Sequence, residues 1–551
     1  VEEKYMGPLI KTVMTRCIQC TRCVRFITEV AGVPDIGLIS RGEDVEITTY
    51  LDKSVASELS ANVIDLCPVG ALTSKPYAFN ARPWELKKTE SVDVMDALGS
   101  SIRVDSRGPA VLRVLPRLNE DINEEWISDK TRYAVDGLSR QRLDQPFLRK
   151  GGRLQPTTWA EAFELIASKV KATTPERIGV IAGDVQDAES MKAALDLFGA
   201  MGVKNLDCRQ DGMALGAGPR ESWLLNSTIA GIEEADVILL VGTNPRVEAP
   251  VFNARLRKRW LAGALRVGVI GEQADLTYGY DYLGAGPQTL SGLSRSKNDF
   301  VTALKGAKNP AIIVGAGALA RADGAAVLAA AAAAAKSFGL TWNVLHSAAA
   351  RVGGLDLGFV PGEGGKSAGE MVQKGALDVL FLLGADEIDA KGSDAFTVYL
   401  GTHGDAGAHL ADVILPGAAY TEKDGIYVNT EGRVQFGYRA VFPKGQAKED
   451  WSILRALSEG LGAKLPYDTL AQLRAKLFAD HPSFGQVDYV AGPAGAASLD
   501  FGLLGAKGEL SEAPFASLVK AFHLTNPIAR ASVTMAECAA VASGAAKIAA
   551  E

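Results

Sequence analysis

The sequence predicts an α/β protein in three parts: a cysteine-rich head, a small β-rich unit, and doubly wound α/β lobes. Three observations predict it. Four of the six cysteines fall in the first 67 residues. After Pro76 the composition shifts to short alternating stretches. From Trp159 onward an apolar run, a Gly turn and a helical stretch recur, the pattern of parallel sheets with crossover helices. The boundaries are set at 1–88, 89–146 and 147–551, the last part as two lobes. A chain of 551 residues is too long for one core.

Composition excludes several classes. The apolar fraction of 47% is that of a globular protein. A net charge of −7 gives no reason to expect nucleic acid binding. The longest apolar run, Ala325–Ala335, is too short to span a bilayer. Val1-Glu2-Glu3-Lys4-Tyr5 has no signal pattern and no initiator Met, as in a chain cut from something longer.

The head begins with Cys17-Ile-Gln-Cys20-Thr-Arg-Cys23, and Cys67-Pro68 follows far downstream. C-x2-C-x2-C wraps one short loop around three corners of a cube, and a remote Cys-Pro closes the fourth. Thiolates suit iron because both are soft. Structural zinc is the nearest alternative, but it usually takes two separated C-x2-C pairs. The spacing therefore predicts one 4Fe–4S cluster on Cys17, Cys20, Cys23 and Cys67. Ile18, Val24, Phe26, Leu66, Val69 and Leu72 are expected to wall it from water. Arg16, Arg22 and Arg25 either raise its potential or serve as solvated and partner-binding charges. With every corner taken by cysteine, no site is left for substrate, which favours electron transfer over catalysis.

In the middle unit, Ser101–Val104 and Val111–Leu115 read as strands broken by Gly108-Pro109 and Pro116. In the lobes, the buried strands are Ile178–Ile181, Val237–Val241, Ala311–Val314 and Val379–Leu383, each followed by a glycine. Trp159–Val170 and Ala325–Phe338 read as helices. The Gly turns are expected along the carboxyl edge, where ligands of such sheets usually bind.

Gly315-Ala-Gly317-Ala-Leu-Ala320 resembles a dinucleotide fingerprint, but no Asp or Glu lies between Gly324 and Leu355 to hold a ribose. No NAD site is expected there, and the fold is expected to tolerate loss of Gly317. Gly362–Ser367 ends like a phosphate loop, yet position 360 is Val360, so it reads as a flexible loop. None of the five histidines stands in a ligand pattern; His403 and His409 read as parts of a Gly-rich loop. Cys208 and Cys538 read as inert thiols.

The segment Cys17–Cys67, with Cys-Pro-Val-Gly-Ala-Leu-Thr, resembles the large iron–sulphur subunit of respiratory complex I, NADH:quinone oxidoreductase. Residues 411–435, Gly242-Thr-Asn-Pro245 and Pro527–Cys538 extend the resemblance over essentially the whole chain, the last in the mitochondrial and alphaproteobacterial manner. The resemblance implies lobes of molybdopterin-oxidoreductase type. Relatives can carry a further 4Fe–4S cluster where this chain has Asp93, Asp96, Ser100 and Ser128, so that cluster is expected to be absent. The molybdenum-ligand position falls on Asp211, and an empty, structural domain without molybdenum is expected. A 2Fe–2S cluster and a second 4Fe–4S cluster are expected only with a further N-terminal domain. The implied partners are the flavin subunit and neighbouring iron–sulphur subunits of the peripheral arm. That arm stands on the cytoplasmic face of the bacterial inner membrane, or on the matrix side in mitochondria. Two other readings compete with the electron conduit: a molybdopterin-dependent catalyst of formate dehydrogenase type, and a scaffold stapled by its cluster.

Overall fold

The computed structural model describes residues 3–50, 53–492 and 499–544. The first two and the last seven positions of the expected three-part division lie outside the described residues.

The head is built from short pieces. Strand Ile10–Thr12 pairs antiparallel with Leu72–Ser74, and Ile36–Ile39 with Glu46–Thr49. Between them lie the helices Arg22–Arg25 and Asn62–Leu66. Elements this short cannot stand alone and depend on tertiary packing. The head is held by the helix Pro250–Leu261 of the α/β part. Arg257 of that helix donates to the carbonyls of Thr28 and Glu29. Gly32, at φ 77°, leaves room for its guanidinium, because a Cβ there would lie 2.6 Å from Arg257 Nε.

The middle unit is an antiparallel sheet of Lys87–Val92, Ser101–Arg107 and Ala110–Pro116. The two predicted strands are present and longer than predicted. The helix Asp129–Tyr133 follows, capped by the Ser128 hydroxyl, which accepts from the Thr131 amide.

The lobes carry two sheets. One has seven strands in the order Asn205–Asp207, Ile178–Ala182, Val379–Leu383, Phe396–Gly401, Val413–Pro416, Phe147–Lys150, Arg153–Pro156. Its first five strands run parallel. The other is a five-stranded parallel sheet in the order Asp281–Gly284, Arg266–Ile270, Val237–Val241, Pro310–Gly315, Thr341–Leu345. Val237–Val241 is buried at every position, as a central parallel strand covered by helices on both faces must be. Trp159–Lys171 shows the helix logic: Thr158 and Glu161 form a capping box, and Ala162, Ile166 and Val170 face the core.

At the carboxyl edges two of the Gly turns are closed by packing. Gly183 packs against the Gly384 carbonyl, and Gly242 against Ala318, both without room for a Cβ. Gly317 is similarly confined: a Cβ there would lie 2.5 Å from the Ala516 carbonyl oxygen and 2.7 Å from that of Gly242. The expected tolerance of the fold to loss of Gly317 is therefore corrected, because C-terminal backbone occupies the space. Gly362–Ser367 is a loop, but a pinned one. The Lys366 amide donates to Asn205 Oδ1 and the Ala368 amide to Asp207 Oδ2, against the expectation of flexibility. His403 does lie in the loop between Phe396–Gly401 and Ala406–Leu410, fully buried with its Nε2 2.8 Å from the Gly137 carbonyl, whereas His409 sits in the helix Ala406–Leu410. The helix Pro527–Ala531, late in the chain, closes over Gly137, where only glycine fits beneath the Ile528 carbonyl.

Candidate metal-cluster site

The Cys17–Cys23 loop is bent by two non-glycine residues in the left-handed region, Gln19 at φ 49° and Thr21 at φ 62°. That conformation is costly for side chains with a Cβ, and such outliers cluster at functional loops. Cys17 ends a 3₁₀ turn, its amide donating to the Met14 carbonyl. Cys23 lies in the helix that Thr21 opens. Cys67 terminates the helix Asn62–Leu66, and Pro68 prevents its continuation. The chain then turns at Gly70, φ 66°, and the Leu72 amide donates to Cys67 Sγ at 3.4 Å.

All four predicted cysteines line one cavity together with Met14, Ile47 and Val69. Among the described residues no three His, Cys, Asp or Glu side chains converge closely enough to hold a single metal ion. The thiols surround a space instead of meeting at a point. Burial pushes the Cys23 thiol up to about 11, and the nearby Cys17, Cys20 and Cys67 add to the rise. Coordination at Cys23 must therefore displace a proton.

The expected wall is partly different. Ile18, Val69 and Leu72 line the cavity, but Val24, Phe26 and Leu66 do not. Phe26 turns away to stack on Trp126, ring centroids 4.8 Å apart. Met14, Ile47 and Ala71 take those places. The place of Ile47 depends on how the Glu46–Thr49 strand folds over the loop, which no local pattern announces. On the outer side Cys20 is exposed and Ile18 is 58% exposed. Arg16, Arg22 and Arg25 are exposed around the same edge, with Arg25 paired to Glu29.

The positions of the expected lost cluster are brought together and filled. Asp93, Asp96, Ser100 and Ser128 are all buried. The Asp93 amide donates to the Ser100 carbonyl. The Thr131 hydroxyl donates to Asp93 and lies 2.8 Å from that of Ser128. Burial, then the charge of Asp96, raises the Asp93 carboxyl to about 7. Lys130, the adjoining buried cation, is lowered by burial to about 8. At Asp211, which the resemblance places at a molybdenum-ligand position, both carboxylate oxygens accept from Arg351. Cys208 and Cys538 are buried, and burial raises both thiols, Cys208 to about 12. A larger cavity of about 570 Å³ is lined by residues of the head, the middle unit and the α/β part. It contains no thiol, and its Arg132 and Glu422 are ion-paired, to Asp65 and Arg142.

Stretches of the chain match families of known proteins. Residues 142–460 match the molybdopterin oxidoreductase family. Residues 7–73 match the ferredoxin-like domain of NADH-quinone oxidoreductase subunit 3. Residues 86–136 match the 4Fe–4S domain of NADH-ubiquinone oxidoreductase NDSU1/NuoG-like proteins, and 488–538 the C-terminal region of the NuoG-type chain. Acetylene hydratase from Pelobacter acetylenicus shares the fold at TM-score 0.54 and 13% identity, over 73% of each chain. Fold and matches define an iron–sulphur protein built on a molybdopterin-oxidoreductase framework.

The chain is 49% identical to the mitochondrial NADH dehydrogenase [ubiquinone] iron-sulfur protein 1 of Solanum tuberosum, over 98% of this chain and 73% of that one. It is 48% identical to the 78 kDa NADH-ubiquinone oxidoreductase subunit of Neurospora crassa, over 98% and 74%. It is 45% identical to the corresponding NADH-quinone oxidoreductase subunit of Rickettsia felis, over 98% and 79%. The chain belongs to the family of the large iron–sulphur subunit of respiratory complex I. It is an electron-transfer subunit of that oxidoreductase.

Proposed function

We propose that Cys17, Cys20, Cys23 and Cys67 hold one 4Fe–4S cluster, through which this subunit passes electrons from the flavin towards quinone. The observation that carries the reading is the four thiols of one spacing motif around one cavity. Their spacing suits a cube better than structural zinc, which usually takes two separated C-x2-C pairs. When bound, the cluster would supply one-electron storage and release.

The chain's own residues do the rest. Met14, Ile47, Val69 and Leu72 exclude water from the inner side. The exposed edge at Cys20 and Ile18 offers the short approach a redox partner needs, and Arg16 and Arg22 make that edge cationic. The partners in this reading are the flavin subunit and neighbouring iron–sulphur subunits of the peripheral arm. No nucleic acid is among them, in keeping with the acidic net charge. Among the described residues no helix is long and apolar enough to cross a membrane, which fits a peripheral position. We place the arm on the cytoplasmic face of a bacterial inner membrane, or equivalently on the mitochondrial matrix side.

The division into 1–88, 89–146 and 147–551 is part of this reading: a head that holds the cluster, a unit that has lost one, and lobes without cofactor. Arg351 on Asp211 and the buried carboxylates Asp93 and Asp96 argue against molybdenum and a second cluster in this stretch. A 2Fe–2S and a further 4Fe–4S cluster would require an additional N-terminal domain. Elemental analysis of the purified chain tests the whole reading. About four irons and four labile sulphides per chain, without molybdenum or pterin, are expected. Stoichiometric zinc without sulphide overturns it.

A further inference from the structure

The helix Asn62–Leu66 delivers Cys67, yet it has only five residues and does not stabilise itself. It is clamped from outside, by one short stretch of the middle unit. Asp129 accepts from the Ala61 amide and the Ser60 hydroxyl, and its own amide donates to the Glu58 carbonyl. The Asn62 side chain, fully buried, donates to the Ile127 carbonyl and accepts from the Ile127 amide. Arg132 closes the clamp, donating from Nη2 to Asp65 Oδ2 at 2.5 Å and to Asn62 Oδ1 at 3.4 Å.

The pair is asymmetric. The Arg132 side chain is 4% exposed and that of Asp65 37%. A buried guanidinium is thus balanced by a carboxylate two residues before Cys67. Among the described residues, Asp65 is the one carboxylate in ion-pair contact with Arg132. Removing either partner leaves an unpaired charge near the helix that ends at Cys67: a buried guanidinium that water screens weakly, or a carboxylate that water screens in part.

We propose that Arg132 and Asp65 are positioning residues for the Cys67 corner, fixing the ligand-bearing helix and balancing the charge beside it. The unit that has lost its own cluster site thereby supports the remaining one. The inference rests on the reading of Cys67 as a cluster ligand, and it is a claim about electrostatics as well as geometry.

The assembled complex provides the test, with the cluster's electron paramagnetic resonance signal followed during a redox titration. Arg132→Met leaves the Asp65 carboxylate unpaired, which disfavours the added electron, so the midpoint falls. Asp65→Asn leaves the guanidinium unpaired, so the midpoint rises. The expected size is a several-fold change in the ratio of reduced to oxidised cluster at the wild-type midpoint, in opposite senses. The double variant Arg132→Met/Asp65→Asn returns towards wild type. Shifts of the same sign, no shifts, or a double variant no closer to wild type than the singles overturn the proposal, because a purely structural clamp gives those results. If Arg132→Met fails to assemble, Asp65→Asn decides alone: no rise in midpoint overturns it. Absence of the cluster signal in the wild-type complex would instead refute the ligand reading, so the two failures are distinguishable.

Discussion

Arg351 donates from one nitrogen to both carboxylate oxygens of Asp211, each at 2.9 Å. Its Nε donates to the Cys208 carbonyl, and Asp184 lies 3.7 Å from its other nitrogen. The guanidinium is almost fully buried and occupies the carboxylate that the family resemblance aligns with a metal ligand. Arg351→Met leaves Asp211 and Asp184 facing each other without the cation they share. A loss of about 3 kcal/mol is expected, read as a lower denaturation midpoint of the purified chain in urea. An unchanged midpoint would show that the pair does not hold the lobe.

Cys20→Ser in the assembled complex is expected to separate two activities. Serine is a harder, poorer donor to iron, so one corner loses its ligand. NADH oxidation with an acceptor that draws electrons at the flavin should persist, while quinone reduction collapses. Assembly must be checked alongside, because loss of a metal centre can unfold its domain. An assembled variant that lacks the cluster yet reduces quinone at the normal rate refutes the conduit.

Gly317→Ala adds a methyl where the Ala516 and Gly242 carbonyl oxygens already lie at 2.5 and 2.7 Å. Backbone, unlike a flexible side-chain end, cannot easily give way. Destabilisation of about 2 kcal/mol is expected, measurable in the same urea titration. Substitution at the exposed Gly306, where a Cβ meets nothing within 4 Å, is the control expected to be near neutral.

The Asp93 carboxyl carries a pH signature. Its folded value is raised from 3.8 to about 7, chiefly by burial and then by Asp96. The folded chain therefore binds the proton more tightly than the unfolded chain. This contribution is fully present below about pH 4 and is lost as pH rises through about 7. Asp93→Asn keeps an acceptor for the Met95 amide without a charge to bury. It should flatten the decline in stability between about pH 5 and 8, and at about pH 8 exceed wild type by on the order of 1 kcal/mol. Parallel pH profiles of the two proteins would refute this assignment.

The class of chemistry and the architecture of the lobes are legible in the order of the amino acids. C-x2-C-x2-C with a remote Cys-Pro is a local constraint, and one cavity lined by the four cysteines was foreseeable from their spacing. All-apolar runs such as Val237–Val241 announce buried parallel strands because only sheets covered on both faces tolerate them. Contacts between distant segments are not legible there. Phe26 looked like a wall residue by adjacency, yet it packs on Trp126. Ile47, from a separate hairpin, takes a place in the wall instead. Gly317 looked dispensable because its motif lacks an acidic partner, but Ala516 comes from far down the chain to fill the space beside it. Arg132 carries no motif at all, and its role arises only because the middle unit folds against the helix before Cys67. Spacing along the chain encodes which residues can share a loop or a strand; which surfaces then meet depends on close packing of whole elements, and no short window of sequence contains that information.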